Sequence, residues 1–581
     1  MDMHQEFTDR IKPTINKPHT DLPFEPNVAS CQEWADSLPI LNPQTTAEMI
    51  SNATLGLLSI NIDDIKKFNL LEIINPCLIK LLSTSAEAAE NANLPLSKKL
   101  SDLSSKTLQV LANTGSIYMD IACSTHFMAM SEKADSPLLS NEQKARVLHG
   151  AIELLGMAQL FKSLLYMQVD NSFWNNTNAI FSLAEKLRIH QTQSPTLDGD
   201  RTTSIEDEFK KIHFFNLAQP NRFRQRDIKT IQRILSLHVC SISISHTPDK
   251  HSEFYIDLSS SSAISTVPNS ISKNDHYRFM NNDELVSFMQ GDQVIAPENH
   301  GTISLVSDQP ILPKQTANQL LSSWSTSRSR KTPRHEQIEE ITVYPGFDSI
   351  LKALIIKRNP HHFNEKLPEE KKSSIDFDME NLHLVPLDDH QKNQHTFNDF
   401  DMNKVLKATA ENSLSADNIW KKKRPVKPGE KGEAMNAEMK DSSLQGLRFE
   451  VPSDNKALLK VNDLIGIETT DNPLQLAIIR RLNYLNEGVV TVGVEMMSPH
   501  LKIANITFKD KERSPEAVIF LSGISAINQP DSIITPLSLE NTYEDIVLKV
   551  KDTVSHYQID KSLKKNQVFI QYKVLKKANL D

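Results

Sequence analysis

The period of the apolar positions divides this chain. From about Ile40 to Gln193 they recur three and four apart, as in Leu70-Leu71-Ile73-Ile74-Cys77-Leu78-Leu81-Leu82 and in Val147-Ile152-Leu155-Leu160-Leu164-Leu165. Such stripes lie on helices and need partner helices to cover them, so an all-α bundle is predicted over 39–200. Ser140-Asn141-Glu142-Gln143 can form a capping box heading a long helix towards Val169: the serine oxygen accepts a freed amide and the glutamine reaches back. Asp170-Asn171-Ser172 then breaks the pattern, and a helix from Phe173-Trp174 to near Ile189 follows. The fixed period of a helical repeat array is missing. Residues 1–38 are expected to form a flexible N-terminus.

Over 201–323 the pattern is mixed. Asp227 to Leu237 reads as a helix, Phe254-Tyr255-Ile256-Asp257-Leu258 alternates like a strand, and helices are expected from Asn282 to Gln290 and from Thr316 to Ser325. This region reads as an α/β connector. Beyond it, Ile338 to Tyr344, Leu458 to Glu468, Leu474 to Leu482 and Val489 to Met497 are β-branched runs separated by turn signals such as Thr470-Asp471-Asn472-Pro473. Short strands at close spacing predict a barrel built from 324–356 and 436–509. Further strands at Ala517 to Leu521, Ser532 to Thr535, Ile546 to Val550 and Val568 to Val574 predict a β-rich extension over 510–581. The stretch 357–435, rich in acid and lysine blocks and poor in apolar residues, cannot bury enough surface to offset its ordering entropy. It reads as a partly disordered insertion with a short helix near Phe400 to Ala410. The fold class is multidomain α+β: N-terminal all-α bundle, mixed α/β connector, C-terminal antiparallel β-barrel with a β-rich extension.

Composition narrows the function classes. With 581 residues the chain exceeds one core, and 15 glycines against 29 prolines leave little for a glycine-loop enzyme. A net charge of −9 argues against a general nucleic-acid coat, whose affinity comes from dense Lys and Arg. Cys31, Cys77, Cys123 and Cys240 make no CxxC spacing and read as reduced thiols. The start Met1-Asp2-Met3-His4-Gln5 carries no export signal, and no uncharged apolar run approaches the roughly 18 residues that span a bilayer. A cytoplasmic location without direct membrane insertion is expected.

Two motifs carry the candidate chemistry. Arg330-Lys331-Thr332-Pro333-Arg334 supplies paired guanidinium forks, and Asp441-Ser442-Ser443-Leu444-Gln445-Gly446 supplies a carboxylate, hydroxyls and a close-packing glycine. An RxxxR before a strand and a DxSxxG opening another resemble the signature of PilZ domains. Val461-Asn462-Asp463-Leu464-Ile465-Gly466 and Val492-Gly493-Val494-Glu495 also look like strands of PilZ barrels. Together with Ala218 to Gln225, Trp324 to Arg334 and Ala517 to Val574, they make the chain similar to large proteobacterial proteins with a helical N-terminal region and a C-terminal PilZ domain.

The resemblance implies a PilZ-like barrel that binds cyclic di-GMP without turning it over and changes contacts with a protein partner through the helical region. It implies ligand-binding roles for Arg330, Arg334, Asp441, Ser443 and Gly446, with no catalytic residue, metal or cofactor beyond the ligand. The chemistry is consistent with this. Two phosphates and two guanines call for planar cations that bind bidentately, and arginine both does this and stacks on bases. Asp441 and Ser443 are expected to face outward at the start of a strand and bond a guanine edge, with Gly446 allowing close approach. The chain departs from the family pattern in Lys331 after Arg330 and in the long insertion between the motif halves.

Other readings compete. RxxxR arises by chance in basic loops, and DxSxxG can be a simple turn, which leaves a PilZ-like scaffold without nucleotide as the alternative. Arg222-Phe223-Arg224-Gln225-Arg226 suits a solvated helix entry or an interdomain salt-bridge patch better than a phosphate site. Trp174 at helical spacing reads as core. His361, His362, His383, His390 and His395 lack HExxH spacing and read as solvated loop histidines. Lys421-Lys422-Lys423-Arg424 beside Trp420 reads as a solvated linker, so no nucleic-acid partner is expected.

Overall fold

The computed structural model describes residues 3–11, 21–124, 127, 139–291, 311–325, 335–358, 434–443, 446–452, 458–470, 472–485, 488–498, 500–508, 515–523, 529–536, 544–550, 553–566 and 568–577. Arg330, Arg334, the five histidines, the Lys421 run, the helix near Phe400 and nearly all of the expected insertion lie outside the described residues.

The N-terminal half is helical: α1 Met3–Ile11, α2 Val28–Asp36, α3 Pro43–Ser59, α4 Asp64–Glu90, α5 Lys98–Ala122, α6 Asn141–Leu164 and α7 Asn171–Lys186. Side-chain caps start most of them, including Asn27, Asp63 and Asp170, and Ser140 with Gln143 closes the full capping box heading α6. The expectation of a flexible N-terminus is corrected. Phe7 and Ile11, four apart on α1, and Cys31 on α2 are buried in the core, and Arg10 donates to Asn175 Oδ1 at 3.1 Å and to the Leu258 carbonyl at 2.8 Å. One buried face and two anchoring hydrogen bonds suffice to hold a short helix that propensity alone would leave marginal.

The connector follows as β1 Ser194–Pro195, β2 Thr202–Thr203, α8 Ile205–Leu217, α9 Gln225–His238, β3 Ser243–Ser245, β4 Phe254–Asp257, β5 Ser265–Thr266, β6 Tyr277–Asn281, α10 Asp283–Gln290 and α11 Lys314–Trp324. Strands β3 to β6 form one sheet in the order β3-β6-β4-β5. At the end of α11, fully buried Trp324 donates its indole N–H to the Phe214 carbonyl at 3.0 Å, and its own carbonyl accepts from Asn282 at 2.9 Å. The chain is thus pinned to the connector just before the arginine lead-in.

Two closed antiparallel barrels make up the C-terminal part. The first comprises β7 His335–Pro345, β8 Met435–Ser443, β9 Gly446–Val451, β10 Leu464–Glu468, β11 Gln475–Tyr484 and β12 Val490–Ser498, in the order β10-β11-β12-β9-β8-β7, with α12 Gly346–Arg358 following β7. The second comprises β13 Leu501–Phe508, β14 Glu516–Leu521, β15 Ser532–Thr535, β16 Asp545–Val550, β17 Thr553–Lys565 and β18 Ile570–Lys576, in the order β13-β14-β15-β18-β17-β16. Counted one to six along the chain, the strands of both barrels close in one and the same cyclic order. The expected extension is therefore a complete barrel, and it begins at Leu501 rather than after 509. Strands β8, β13 and β17 escaped the sequence reading. Met435-Asn436-Ala437-Glu438-Met439 contains no β-branched residue and β17 is rich in lysine, so pairing rather than propensity fixes them.

A polar seam and an apolar one join these parts. Between helices and first barrel, Arg224 Nη2 meets Asp463 Oδ1 at 2.7 Å and its Nε donates to the Val461 carbonyl at 3.0 Å, so one arginine of the cluster makes an interdomain salt bridge. Asn221 donates to Asn483 Oδ1 at 2.7 Å, and the Tyr484 amide donates to the Tyr166 carbonyl at 2.9 Å. Between the barrels, Phe347 and Ile350 of α12 pack with Leu464, Leu476, Ile519 and Leu521.

Candidate functional site

Two irregularities of the first barrel aim its polar side chains. On β8 alternation buries Met435, Ala437 and Met439, and a bulge between Met439 and Asp441 then moves Asp441 opposite Arg448, whose neighbours Leu447 and Phe449 point inward. Asp441 therefore joins the outer row, where its Oδ2 lies 2.7 Å from Arg448 Nε. On β11 a second bulge between Ile479 and Arg481 sets Arg481 opposite Gly493. Because Arg448 in turn faces Gly493, one transverse row runs Glu336, Asp441, Arg448, Gly493, Arg481 across five strands.

The expectation that the acidic motif opens a strand is corrected: Asp441 and Ser443 close β8, and Gly446 opens β9. Ser443 Oγ donates to the Gly446 carbonyl at 3.1 Å, tying the turn across its own hairpin. Gly446 is needed for close approach, as expected, but to a strand: a Cβ there would lie 2.6 Å from the Val494 carbonyl oxygen. Asp441 is 6% exposed, with its carboxylate against the guanidinium of Arg448. Where Arg330 and Arg334 stand relative to it falls outside the described residues, yet both ends of their segment are fixed. Ser325 follows the pinned Trp324, and His335 pairs with Ser442, next to Asp441.

The far end of the row opens into a cavity of about 910 Å³ between helical region and barrel. Gly493, Arg481 and Arg480 form its barrel wall, and Trp174, Gln168 and Arg222 belong to the opposite wall. Arg480 Nε bonds Glu495 Oε2 at 2.8 Å, and Lys564 of the second barrel reaches Glu495 Oε1 at 2.9 Å, which holds Glu495 below the usual carboxylate range against its burial. Among the described residues no group of three or more His, Cys, Asp and Glu could hold a metal, and no helix is long and apolar enough to cross a membrane.

Comparison with family models matches residues 29–249 to the cyclic-di-GMP receptor FimW, N-terminal domain, and residues 261–502 to the cyclic-di-GMP receptor FimW, middle PilZ domain. The chain is a PilZ-domain protein. No curated protein and no solved structure matches it. The middle-domain match covers the end of the connector and the whole first barrel and ends at the start of β13, so the second barrel beyond Lys502 lies outside both matches.

Sequence reasoning passed over Arg448, Arg480 and Arg481. A signal existed for the last two, a doublet of charges inside the otherwise apolar run Leu476 to Leu482. Nothing local distinguished Arg448, whose role comes from the register of β8 against β9.

Proposed function

We propose that this PilZ protein is a cytoplasmic receptor that binds cyclic di-GMP without turning it over and passes the binding on as a change in contacts with a protein partner at the helical region. The supporting observation is the outer row of the first barrel. It gathers two carboxylates, two guanidinium groups and a glycine, next to the paired end of the arginine lead-in at His335. Arg330 and Arg334 supply bidentate forks for phosphate and the O6 and N7 edge of guanine, while Asp441 and Ser443 accept from a second base edge and Gly446 keeps the strands close. The names of the matching family models agree with this reading.

Titration calorimetry of the full chain with cyclic di-GMP tests it. Saturable heat that falls at least a hundredfold in affinity in the R330A/R334A double variant, with intact nucleotide recovered by chromatography, is expected. No binding by the unaltered chain would reject the proposal. That result would favour the scaffold reading, to which the Arg448 ion pair already occupying Asp441 lends support.

A further inference from the structure

We infer that the helical region is half of the ligand site: the cavity between it and the PilZ barrel receives part of an anionic purine nucleotide, held by Arg222 and Arg481 beside the buried Trp174. The inference rests on the cyclic di-GMP reading and adds binding residues outside both motifs. At about 910 Å³ the cavity has the size of a small-molecule site rather than a packing defect.

Its lining has the chemistry of nucleotide recognition. Three arginines converge from two domains: Arg222 from the turn between α8 and α9, and Arg480 with Arg481 from the bulged β11. Glu495 engages Arg480, Arg222 Nη1 donates to Gln219 Oε1 at 3.2 Å, and Arg481 lies along Gly493, whose added Cβ would come 3.6 Å from the Arg481 Cβ. Guanidinium groups bind phosphate bidentately and stack on bases. The Trp174 indole, 6% exposed and part of the core as expected, is held edge-on to Phe173 at 4.9 Å and at a 32° tilt to His213 at 5.2 Å, and its remaining edge borders the cavity. The carboxamides of Gln168, Asn216 and Asn221 offer the donors and acceptors that base edges need, although those of Gln168 and Asn221 also share Asn483 as acceptor.

The helix ends fix the Arg222 segment. Tyr166 and Gln219, both lining the cavity, hold φ at 57° and 56°, the left-handed conformation that ends α6 and α8. The Tyr166 hydroxyl donates to the Phe223 carbonyl at 2.9 Å, and the Gln219 carbonyl accepts the Arg222 amide at 3.0 Å. Both residues thus position the segment that carries Arg222. Because the transverse row leads from Asp441 to Arg481 without a break, one ligand can span motif and cavity and bridge the two domains.

The test is cyclic di-GMP titration of the full chain, followed by calorimetry and by intrinsic tryptophan fluorescence. R222A and R481A are each expected to weaken binding about ten- to hundredfold, the loss of a charge-assisted contact, with lysine at either position recovering only part. W174F is expected to abolish most of a ligand-induced fluorescence change in a chain with four tryptophans. A nucleotide that still binds R222A, R481A and W174F as tightly as the unaltered chain, while R330A/R334A loses it, would overturn this inference and leave the receptor reading standing. No binding by the unaltered chain would overturn both.

Discussion

The two barrels share a strand order and differ in what their outer rows carry. Counting from the hairpin between the second and third strands, the third pair is Asp441 with Arg448 in the first barrel and Ile519 with Ile534 in the second. Following each pair around its barrel gives Glu336, Asp441, Arg448, Gly493, Arg481 in one and Ile503, Ile519, Ile534, Gln571, Lys564 in the other. The polar row borders a cavity. The apolar positions Ile519 and Ile534 are covered by α12 and the first barrel. Closure of six strands is thus set by the inward residues of each barrel, and the outer row is left to specify either a ligand face or a docking face.

The largest break in this comparison is a charge in the apolar row. Ile519→Asp should lower stability by about 4 kcal/mol, because a carboxylate without a partner would be buried in the seam. Urea unfolding of a variant as stable as the parent would show that the barrels do not dock this way. The reciprocal change, Asp441→Leu, should cost only about 1 kcal/mol, since Arg448 is 40% exposed, yet remove cyclic di-GMP binding. Between these two in its effect on stability, Gly446→Val should cost about 2 kcal/mol by driving β9 from the Val494 carbonyl. An unchanged denaturation midpoint would contradict that contact.

The two seams should also differ in their response to pH. Burial raises the Asp463 carboxyl to about 6 in spite of Arg224, from an ordinary 3.8. The folded chain therefore holds a proton that the unfolded chain has released between these values, so this group's contribution to stability falls as pH rises from about 4 to about 6 and is level above. With 22% of the side chain still exposed, the change should be about 1 kcal/mol. Asp463→Asn should flatten that part of the pH profile; an unaltered slope would place the titration elsewhere. The smallest effect belongs to the bridge from Lys564 to Glu495. Lys564→Ala should cost about 0.5 kcal/mol, because both partners keep more than a third of their exposure. A loss several times larger would make this contact, rather than the apolar seam, the main tie between barrels.

Much of the architecture was legible because it depends on local patterns. The stripes of α4 and α6 and the capping box at Ser140 place helices without tertiary information. The β-branched runs placed β11 and β12 within two residues and the end of β10, which begins at Leu464 rather than Leu458. The two motifs pointed to the PilZ domain because identity at fixed spacing survives even where a long stretch separates the halves.

Residue order alone determined which segments are helical, which are extended, and which few side chains carry a charge or lack a Cβ; these are properties of the chain within a handful of positions. Tertiary structure decided the rest. Bulges at Asp441 and Arg481 choose the face on which those side chains stand, register brings Arg448 to Asp441, and strand pairing turns the lysine-rich β17 into the wall of a second barrel. The physical reason is that facing and pairing depend on strands distant in sequence: a shift of one residue reverses every side chain of a strand, and nothing within the strand itself records which shift its neighbour imposes.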